Sequence, residues 1–385
     1  MSNGRNPVRG YFKFFVIARQ YPGRPLLNMA AALICVFTLI SYPLSAQKQN
    51  EEDIKKVRWA GVPYLNYNNT IGFTLGALGR AFYKADRSDT ISPSSSTGVF
   101  GMYTTNKTYF AFAFQQFYLD QDNWRMKFAA GFGNLNFQYW QTLPVSEGVF
   151  IGFGTNSTFA MAQAERRIYS KLYGGINAFY INAKTEFDLP EWVPDSLVQE
   201  EVSLNNVGYV INYDNRENQF NPYGGFNIEF KHSLYRDWLN SDYEFQNFEF
   251  TYNHFFRIRN DRNILVTRLN ANISTGDVPF QGQNVVGQDD IRGYSSGKYR
   301  NNQVYAIQTE YRWRFYKKWG MVGFFGLASA VETLGDIPDE DLLPGIGVGL
   351  RYMMIEKERI NIGIDIATGK DDWGLYFRIG ESFMR

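Results

Sequence analysis

The sequence is poor in the residues on which enzymes and metal proteins most often rely. Its 385 residues include one cysteine, Cys35, and only two histidines, His232 and His254. A single cysteine forms no disulfide within the chain and no cysteine-rich metal site. The sequence also contains no G-x-S-x-G motif and no metal-ligand cluster. It therefore predicts no catalytic residue, no metal site, no cofactor and no enzymatic activity.

Neither sign of charge predominates in the chain. It carries 39 lysines and arginines against 38 aspartates and glutamates, so its formal net charge is +1. This balance produces no global basic field, and no clustered basic helix accompanies it. Nucleic acid is therefore not expected as a partner.

Long apolar runs are missing beyond residue 46, and the mean hydropathy is negative, at -0.34. Aromatic residues nevertheless make up 17% of the chain. A lipid-exposed β-barrel reconciles these observations, because each of its strands alternates an apolar residue toward lipid with a polar residue toward the interior.

The one long apolar run lies between Pro25 and Ala46, follows several arginines, and ends in Leu44-Ser45-Ala46. This pattern predicts a cleavable signal peptide with a long basic leader over residues 1–46. The alternatives are a retained transmembrane anchor and a lipoprotein site at Cys35, although the isoleucine before that cysteine disfavours acylation. Residues 47–59 are then a short periplasmic segment, and residues 60–385 an outer-membrane β-barrel.

Period-two stretches bounded by turn residues predict an all-β chain that forms a transmembrane antiparallel β-barrel of about sixteen strands. An even number of strands places both mature termini on the periplasmic side. We expect the strands near residues 60–67, 70–83, 92–106, 108–120, 124–140, 151–168, 172–187, 204–216, 224–236, 243–258, 263–276, 300–316, 319–332, 342–356, 360–370 and 373–383.

Alternation is clearest between Tyr243 and Ile258, where Phe248, Phe250 and Tyr252 share one face. A soluble β-sandwich also alternates, so this pattern alone does not separate the two architectures. The signal peptide, the long strands and the dense aromatic residues favour the membrane barrel. The long connections 188–203, 277–299 and 333–341 then fall on the external side.

The largest external connection contains Asp290-Ile291-Arg292-Gly293-Tyr294, between the eleventh and twelfth predicted strands. This run resembles the V/I-R-G-F/Y motif in the sixth external loop of the BamA/TamA family, the bacterial surface antigen family. Further runs are similar to the family's D-x-R…P-x-G turn, its Q-x-E-Y-R strand and its last three strands. They are Asp214 and Arg216 with Pro222 and Gly224, then Gln308–Arg312, Gly347–Tyr352, Asp365 and Phe377–Phe383.

The resemblance implies a Gram-negative outer-membrane protein that assists the insertion or translocation of outer-membrane or exported proteins. Its expected partners are outer-membrane lipid and unfolded client proteins. The chain itself is expected to be a client of the outer-membrane assembly machinery, because Phe383 near its end resembles the aromatic closing signal. The sequence has no room for the periplasmic POTRA repeats of larger members, so a small pore or a surface-binding barrel without insertase activity is the alternative.

An enzyme is the third class, because some outer-membrane barrels carry Ser/His or Asp/His constellations at the rim. His232 shares a face with Phe226, and His254 shares a face with Tyr252. Both histidines are therefore expected to face lipid or the membrane interface, which disfavours catalysis.

Two features of the resemblance point to site residues. A loop cation that enters the interior needs a carboxylate, and Glu310 and Asp365 are the predicted partners of Arg292. The stretch 324–329 lacks the acidic residue that many members pair with this arginine.

In the family, a weak lateral seam between the first and last strands opens toward lipid, and here it would involve Pro63, Gly374, Gly380 and Phe383. Pro63 removes a ladder hydrogen bond, while the two glycines either loosen the closing strand or make room for inward side chains.

Overall fold

The computed structural model describes residues 57–68, 72–143, 146–187, 199–287, 290–294, 299–340 and 342–383. The predicted signal peptide, residues 1–46, lies outside these ranges. None of the helices in the described ranges is long and apolar enough to cross a membrane.

Nineteen strands and three short 3-10 helices follow one another along the described residues. The helices are Asp237–Leu239, Phe280–Gly282 and Leu334–Asp336. The strands are β1 (Arg58–Asn68), β2 (Gly72–Tyr83), β3 (Ser95–Thr104), β4 (Tyr109–Leu119), β5 (Trp124–Leu143), β6 (Ser146–Tyr169), β7 (Leu172–Phe187), β8 (Gln199–Ser203), β9 (Asn206–Asp214), β10 (Gly225–Tyr235), β11 (Phe245–Arg257), β12 (Asn263–Gly276), β13 (Asn284–Val285), β14 (Arg300–Asn301), β15 (Gln303–Tyr316), β16 (Trp319–Val331), β17 (Leu343–Ile355), β18 (Ile360–Gly369) and β19 (Asp372–Ile379).

Antiparallel pairing joins strands that follow one another in the chain, from β1 through to β19. β8 and β9 both pair with β7, so they are two pieces of one barrel strand. β13 and β14 form a separate two-stranded ladder within the connection between β12 and β15. The remaining pieces make up the sixteen barrel strands among the described residues, which confirms the predicted all-β antiparallel barrel.

The described residues fall into two units. Residues 57–137 and 152–383 form the larger unit, which contains the barrel interior discussed below. Residues 138–143 and 146–151 belong to the second unit and consist of parts of β5 and β6.

The strands of the larger unit run between two ends. The terminal end is where β1 begins at Arg58 and β19 finishes at Ile379. The opposite end carries loop six, residues 277–302, between β12 and β15. β19 lies beside β1, but no hydrogen-bonded ladder joins these two strands among the pairings of the described residues. We call this place the junction.

The side chains of each barrel strand alternate between interior and outer surface, as the period-two pattern predicts. On β15, Gln308 and Glu310 are buried inside. Ile307, Tyr311 and Trp313 point outward and are each more than 40% exposed. Apolar side chains on the exposed face suit lipid, whereas they would be buried in a soluble sandwich.

Some strand boundaries differ from the sequence prediction. The first strand begins at Arg58, two residues before the predicted start of the barrel. The predicted loop 188–203 ends in β8, because this segment extends the ladder along β7. The last strand finishes at Ile379 and not at residue 383, because Gly380 has a φ of 97° and turns the chain inward.

Candidate functional site in the barrel interior

The described motif residues of loop six, 290–294, are buried among inward-facing side chains of the barrel. Ile291 and Tyr294 are at most 2% exposed and belong to one apolar cluster with Val304 of β15, Ala328 of β16 and Leu343 of β17. The motif is therefore enclosed by consecutive strands of the wall.

Arg292 contacts both carboxylates that the sequence indicated as its partners. Its Nη1 donates to Asp365 Oδ2 at 2.8 Å, and its Nη2 lies 2.6 Å from Glu310 Oε2. Its Nε and Nη2 also donate to Gln308 Oε1, at 2.9 and 2.8 Å. Glu310 and Asp365 are fully buried, so both carboxylates depend on protein cations for the solvation that water would otherwise supply.

These contacts belong to a larger interior charge network. Arg312 Nε donates to Glu310 at 2.7 Å. Arg351 and Arg378 both pair with Asp365, in the latter case at 3.1 Å. Glu310 and Asp365 thus each contact at least two arginines. We define the network by its members: Arg292, Gln308, Glu310, Arg312, Arg351, Asp365, Arg378 and Glu381.

An aromatic ring of β16 contacts Arg292, in the stretch 324–329 that lacks an acidic residue. The Arg292 guanidinium carbon lies 3.3 Å from the centroid of the Phe324 ring. A guanidinium that stacks on an aromatic face gains a cation–π interaction in addition to its ion pairs. Arg292 therefore contacts carboxylates on β15 and β18 and this ring, and no acidic residue within 324–329.

Gly293 and Tyr294 attach loop six to the last strands. The backbone amide of Gly293 donates to the Tyr376 phenol oxygen of β19 at 2.9 Å. Gly293 has a φ of 111°, and a Cβ there would meet the carbonyl of Thr368 at 2.8 Å, so the position requires glycine. The Tyr294 hydroxyl donates to the Pro344 carbonyl at 2.6 Å, and burial raises the pKa of this phenol, so it stays neutral.

A second buried group lies at the terminal end, around the turn between β9 and β10. We call residues 215–224 the motif turn. Asp214, which precedes it, accepts hydrogen bonds from Arg216 Nε, Gln219 Nε2 and Arg125 Nη1, each at 2.8 Å. Pro222 is buried in the same turn. The structure therefore brings Asp214 and Arg216 together, and it adds Arg125, which the sequence did not indicate.

The glycine requirement of this turn falls one residue later than the motif suggests. Gly225 has a φ of 88°, and a Cβ there would lie 2.7 Å from the carbonyl oxygen of Asn215. A Cβ on Gly224 would meet open space. The conformational constraint therefore belongs to Gly225.

The motif turn packs across the interior at the terminal end. Phe220 contacts Phe82 of β2 edge to face, with centroids 5.2 Å apart, and shares a cluster with Ala60 of β1 and Ile360 of β18. Tyr223 belongs to another cluster that contains Phe383. The turn is thus in contact with strands on both sides of the junction.

Residues 380–383, the C-terminal segment, fold inside the barrel after Gly380. Glu381 accepts from Arg351 Nε at 2.8 Å, and the Ser382 carbonyl accepts from Arg312 Nη2 at 2.9 Å. Phe383 is buried, and the Arg292 guanidinium lies 5.6 Å from its ring centroid. Phe383 was predicted on the lateral seam, but it lies in the interior. Arg351 and Arg312 of the charge network bind Glu381 and Ser382 of the segment that contains it.

The other predicted seam residues lie on the first and last strands. Pro63 is exposed on β1, opposite Ala77 of β2. Gly374 lies on β19, where a Cβ would come within 2.6 Å of the Tyr376 hydroxyl. Gly374 thus makes room for the side chain that binds loop six. Whether these residues loosen the seam stays a prediction.

Both histidines lie on the outer face among aromatic rings. His232 stacks on Phe248 with centroids 4.8 Å apart, and His254 stacks on Phe256 at 3.7 Å. In the described part of the chain, no group of three or more His, Cys, Asp and Glu side chains is placed to hold a metal ion.

The chain is similar to proteins of a known family. The Omp85 superfamily domain matches residues 88–383, well over half of the chain. The chain belongs to the Omp85 superfamily. This Omp85 barrel is therefore an integral outer-membrane protein, and members of its family handle outer-membrane or exported protein substrates as transporters and insertases. No curated protein sequence matches the chain.

The solved structures that resemble the Omp85 barrel include the following three. BamA from Haemophilus ducreyi lacking POTRA domains 1–3 is 12% identical, with a TM-score of 0.52 over 83% of this chain and 70% of its own. CdiB from Acinetobacter baumannii is 14% identical, with a TM-score of 0.53 over 84% of this chain. CdiB from Escherichia coli is 10% identical, with a TM-score of 0.58 over 87% of this chain. The Omp85 barrel spans 60% and 63% of the two CdiB chains, and these identities establish the fold alone.

Proposed function

We propose that this Omp85 barrel assists the insertion or translocation of outer-membrane or exported proteins, and that it acts at the junction between β1 and β19. The observation that carries the proposal is the junction itself, where the two strands lie side by side and no ladder joins them among the pairings of the described residues. Strand edges without partners are templates for the pairing of another strand. A client segment in extended conformation would complete the edge of β1 or of β19.

The contacts of loop six support this role. Arg292 holds Asp365 on β18, and Gly293 holds Tyr376 on β19. Both bonds attach the last two strands to the interior and not to β1. Loop six therefore holds β18 and β19 in place, although no ladder joins β19 to β1 among the described residues.

Contacts at the terminal end bridge the junction. Arg58 of β1 pairs with Glu358 in the turn after β17. Phe220 belongs to one apolar cluster with Ala60 of β1 and Ile360 of β18. These contacts hold the two sides together at one end, so we propose that opening begins at the loop-six end. The terminal end then lies in the periplasm, with the mature termini.

A client-folding assay tests the proposal. Vesicles that contain the refolded chain would receive an unfolded outer-membrane barrel from urea, and the folding rate of this client would be followed by its resistance to protease. We expect a faster rate than in empty vesicles, and a smaller increase with Tyr376→Phe. Equal rates in empty and loaded vesicles would contradict the proposal, and steady ion conductance by the same vesicles would favour a pore.

A further inference from the structure

Two arginines at the terminal end face each other without an acidic partner. Arg262 precedes β12, and Arg314 lies on β15. The Arg314 amide donates to the Arg262 carbonyl at 2.8 Å, which extends the ladder in which Asn263 is opposite Trp313. Like charges directly opposite on neighbouring strands destabilise a sheet. Among the described residues, neither arginine forms an ion pair, and the Arg314 guanidinium donates to the neutral phenol of Tyr223 at 3.1 Å.

Both side chains line one cleft at the terminal end, which encloses about 400 Å³ including the solvent at its mouth. Three other cations line it, and each has an acidic partner. Arg312 pairs with Glu310, Arg351 with Glu381, and Lys318 with Glu356. Two acidic side chains also line it: Glu381 pairs with Arg351, and Asp261 pairs with Arg257 outside the cleft. Among the described residues, Arg262 and Arg314 are therefore the cations of the cleft without an ion pair.

The wall of the same cleft already binds a carboxylate from an irregular segment of polypeptide. Glu381 of the C-terminal segment lies 2.8 Å from Arg351 Nε and also accepts from Asn361 Nδ2 at 2.5 Å. The Arg262 and Arg314 pair offers the same chemistry without such an occupant among the described residues. Guanidinium groups bind carboxylates through paired, charge-assisted hydrogen bonds.

We propose that Arg262 and Arg314 form a binding site for a carboxylate side chain of an extended acidic polypeptide that approaches the terminal end of the barrel. Bound there, the carboxylate would neutralise the facing like charges. Tyr223 and Asn221 of the motif turn line the same cleft and supply neutral polar groups beside it. The inference goes beyond the proposed function, because it concerns binding and requires no insertion of the ligand.

Binding of a fluorescent hexaglutamate peptide to the refolded chain in neutral detergent micelles tests this site by anisotropy. We expect binding that weakens with salt, and a loss of roughly tenfold in affinity for each arginine replaced in Arg262→Gln and Arg314→Gln. The matched control is Arg259→Gln with Lys317→Gln, which removes the same charge from neighbouring exposed positions outside the cleft. We expect this control to lose less than about threefold.

Other outcomes would overturn the site. Equal losses in the control would show a diffuse basic field, and displacement of the peptide by phosphatidylglycerol alone would show a lipid site. If the variant that carries both Arg262→Gln and Arg314→Gln fails to fold, Arg262→Lys with Arg314→Lys keeps the charge and should retain part of the affinity. Unfolding by urea separates binding from structure: Arg262→Gln should raise the midpoint without peptide, because it removes a like charge, whereas a structural arginine would lower it.

Discussion

The backbone amide of Gly293 in loop six donates a 2.9 Å hydrogen bond to the phenol of Tyr376 on the last strand. Tyr376 is inward-facing on β19, next to the position where Gly374 leaves space for its ring. The bond connects the family motif directly to the strand that borders the junction. It joins residues 83 positions apart, so no local pattern in the sequence indicates it.

Tyr376→Phe should release this connection while keeping the ring. The buried Gly293 amide would lose its partner, and we expect the free energy of unfolding to fall by about 1 to 3 kcal/mol. Hydrogen exchange at Gly293 should accelerate. Tyr311→Phe is the control, because its hydroxyl bonds Asn263 on the exposed face, and it should change neither quantity by a comparable amount. An unchanged Gly293 exchange rate in Tyr376→Phe would count against the bond.

Arg292 and Glu310 should be energetically coupled. Arg292→Ala leaves Glu310 with Arg312 and leaves Asp365 with two other arginines, so we expect a loss of about 3 kcal/mol and not a complete failure to fold. An alanine double-mutant cycle measured by urea unfolding should give a coupling free energy of about 1 to 3 kcal/mol. Additive losses would mean that the 2.6 Å contact contributes nothing.

Charge reversal, with Arg292→Glu and Glu310→Arg, tests the same pair less directly than the alanine cycle. Arg292 contacts Asp365 as well as Glu310, so a glutamate at position 292 would be repelled by Asp365. We therefore expect only partial recovery in a double reversal, and the alanine cycle avoids this new repulsion.

Gly293→Ala should be far more damaging than Gly224→Ala, although both belong to family motifs. At position 293 the added Cβ meets the Thr368 backbone and the backbone conformation is left-handed, so we expect a loss above about 2 kcal/mol. At position 224 the Cβ meets open space, and the loss should stay below about 1 kcal/mol. Thermal unfolding in detergent would compare them, and similar losses would contradict the placement of loop six.

Phe220→Ala should weaken the junction at the terminal end. Removing a buried ring costs about 3 to 5 kcal/mol, and Phe245→Ala is the control, because it removes another buried ring from a separate cluster. Hydrogen exchange distinguishes the two variants. Amides of residues 58–62 on β1 should exchange faster in Phe220→Ala only, and equal acceleration in both variants would show a general loss of stability.

The barrel could be predicted from the sequence because strand alternation is local. Side chains alternate between the two faces of a strand, so the sequence predicts which residues face the interior. Glu310 and Asp365 were predicted as partners of Arg292 on this basis. The inward turn at Gly380 could not be predicted, because the run from Phe377 to Phe383 also reads as a continuing strand. Its path depends on the capture of Glu381 by Arg351, thirty positions away.

Phe324 was missed for a related reason. Residues 324–329 contain no acidic group, and only the folded arrangement shows that the Phe324 ring lies under the Arg292 guanidinium. Arg125 was missed because it reaches Asp214 from the start of β5, 89 positions away.

Planar-bilayer conductance of the refolded mature chain tests most directly whether loop six is a fixed part of the interior of an assembly barrel. The intact chain would be compared with a chain lacking residues 277–299, and with a control lacking residues 334–340 of the next, exposed connection. We predict low conductance for the intact chain and the control, and a sharp increase when residues 277–299 of loop six are removed. Steady, ion-selective conductance in the intact chain, unchanged by that deletion, would contradict this account and favour a pore.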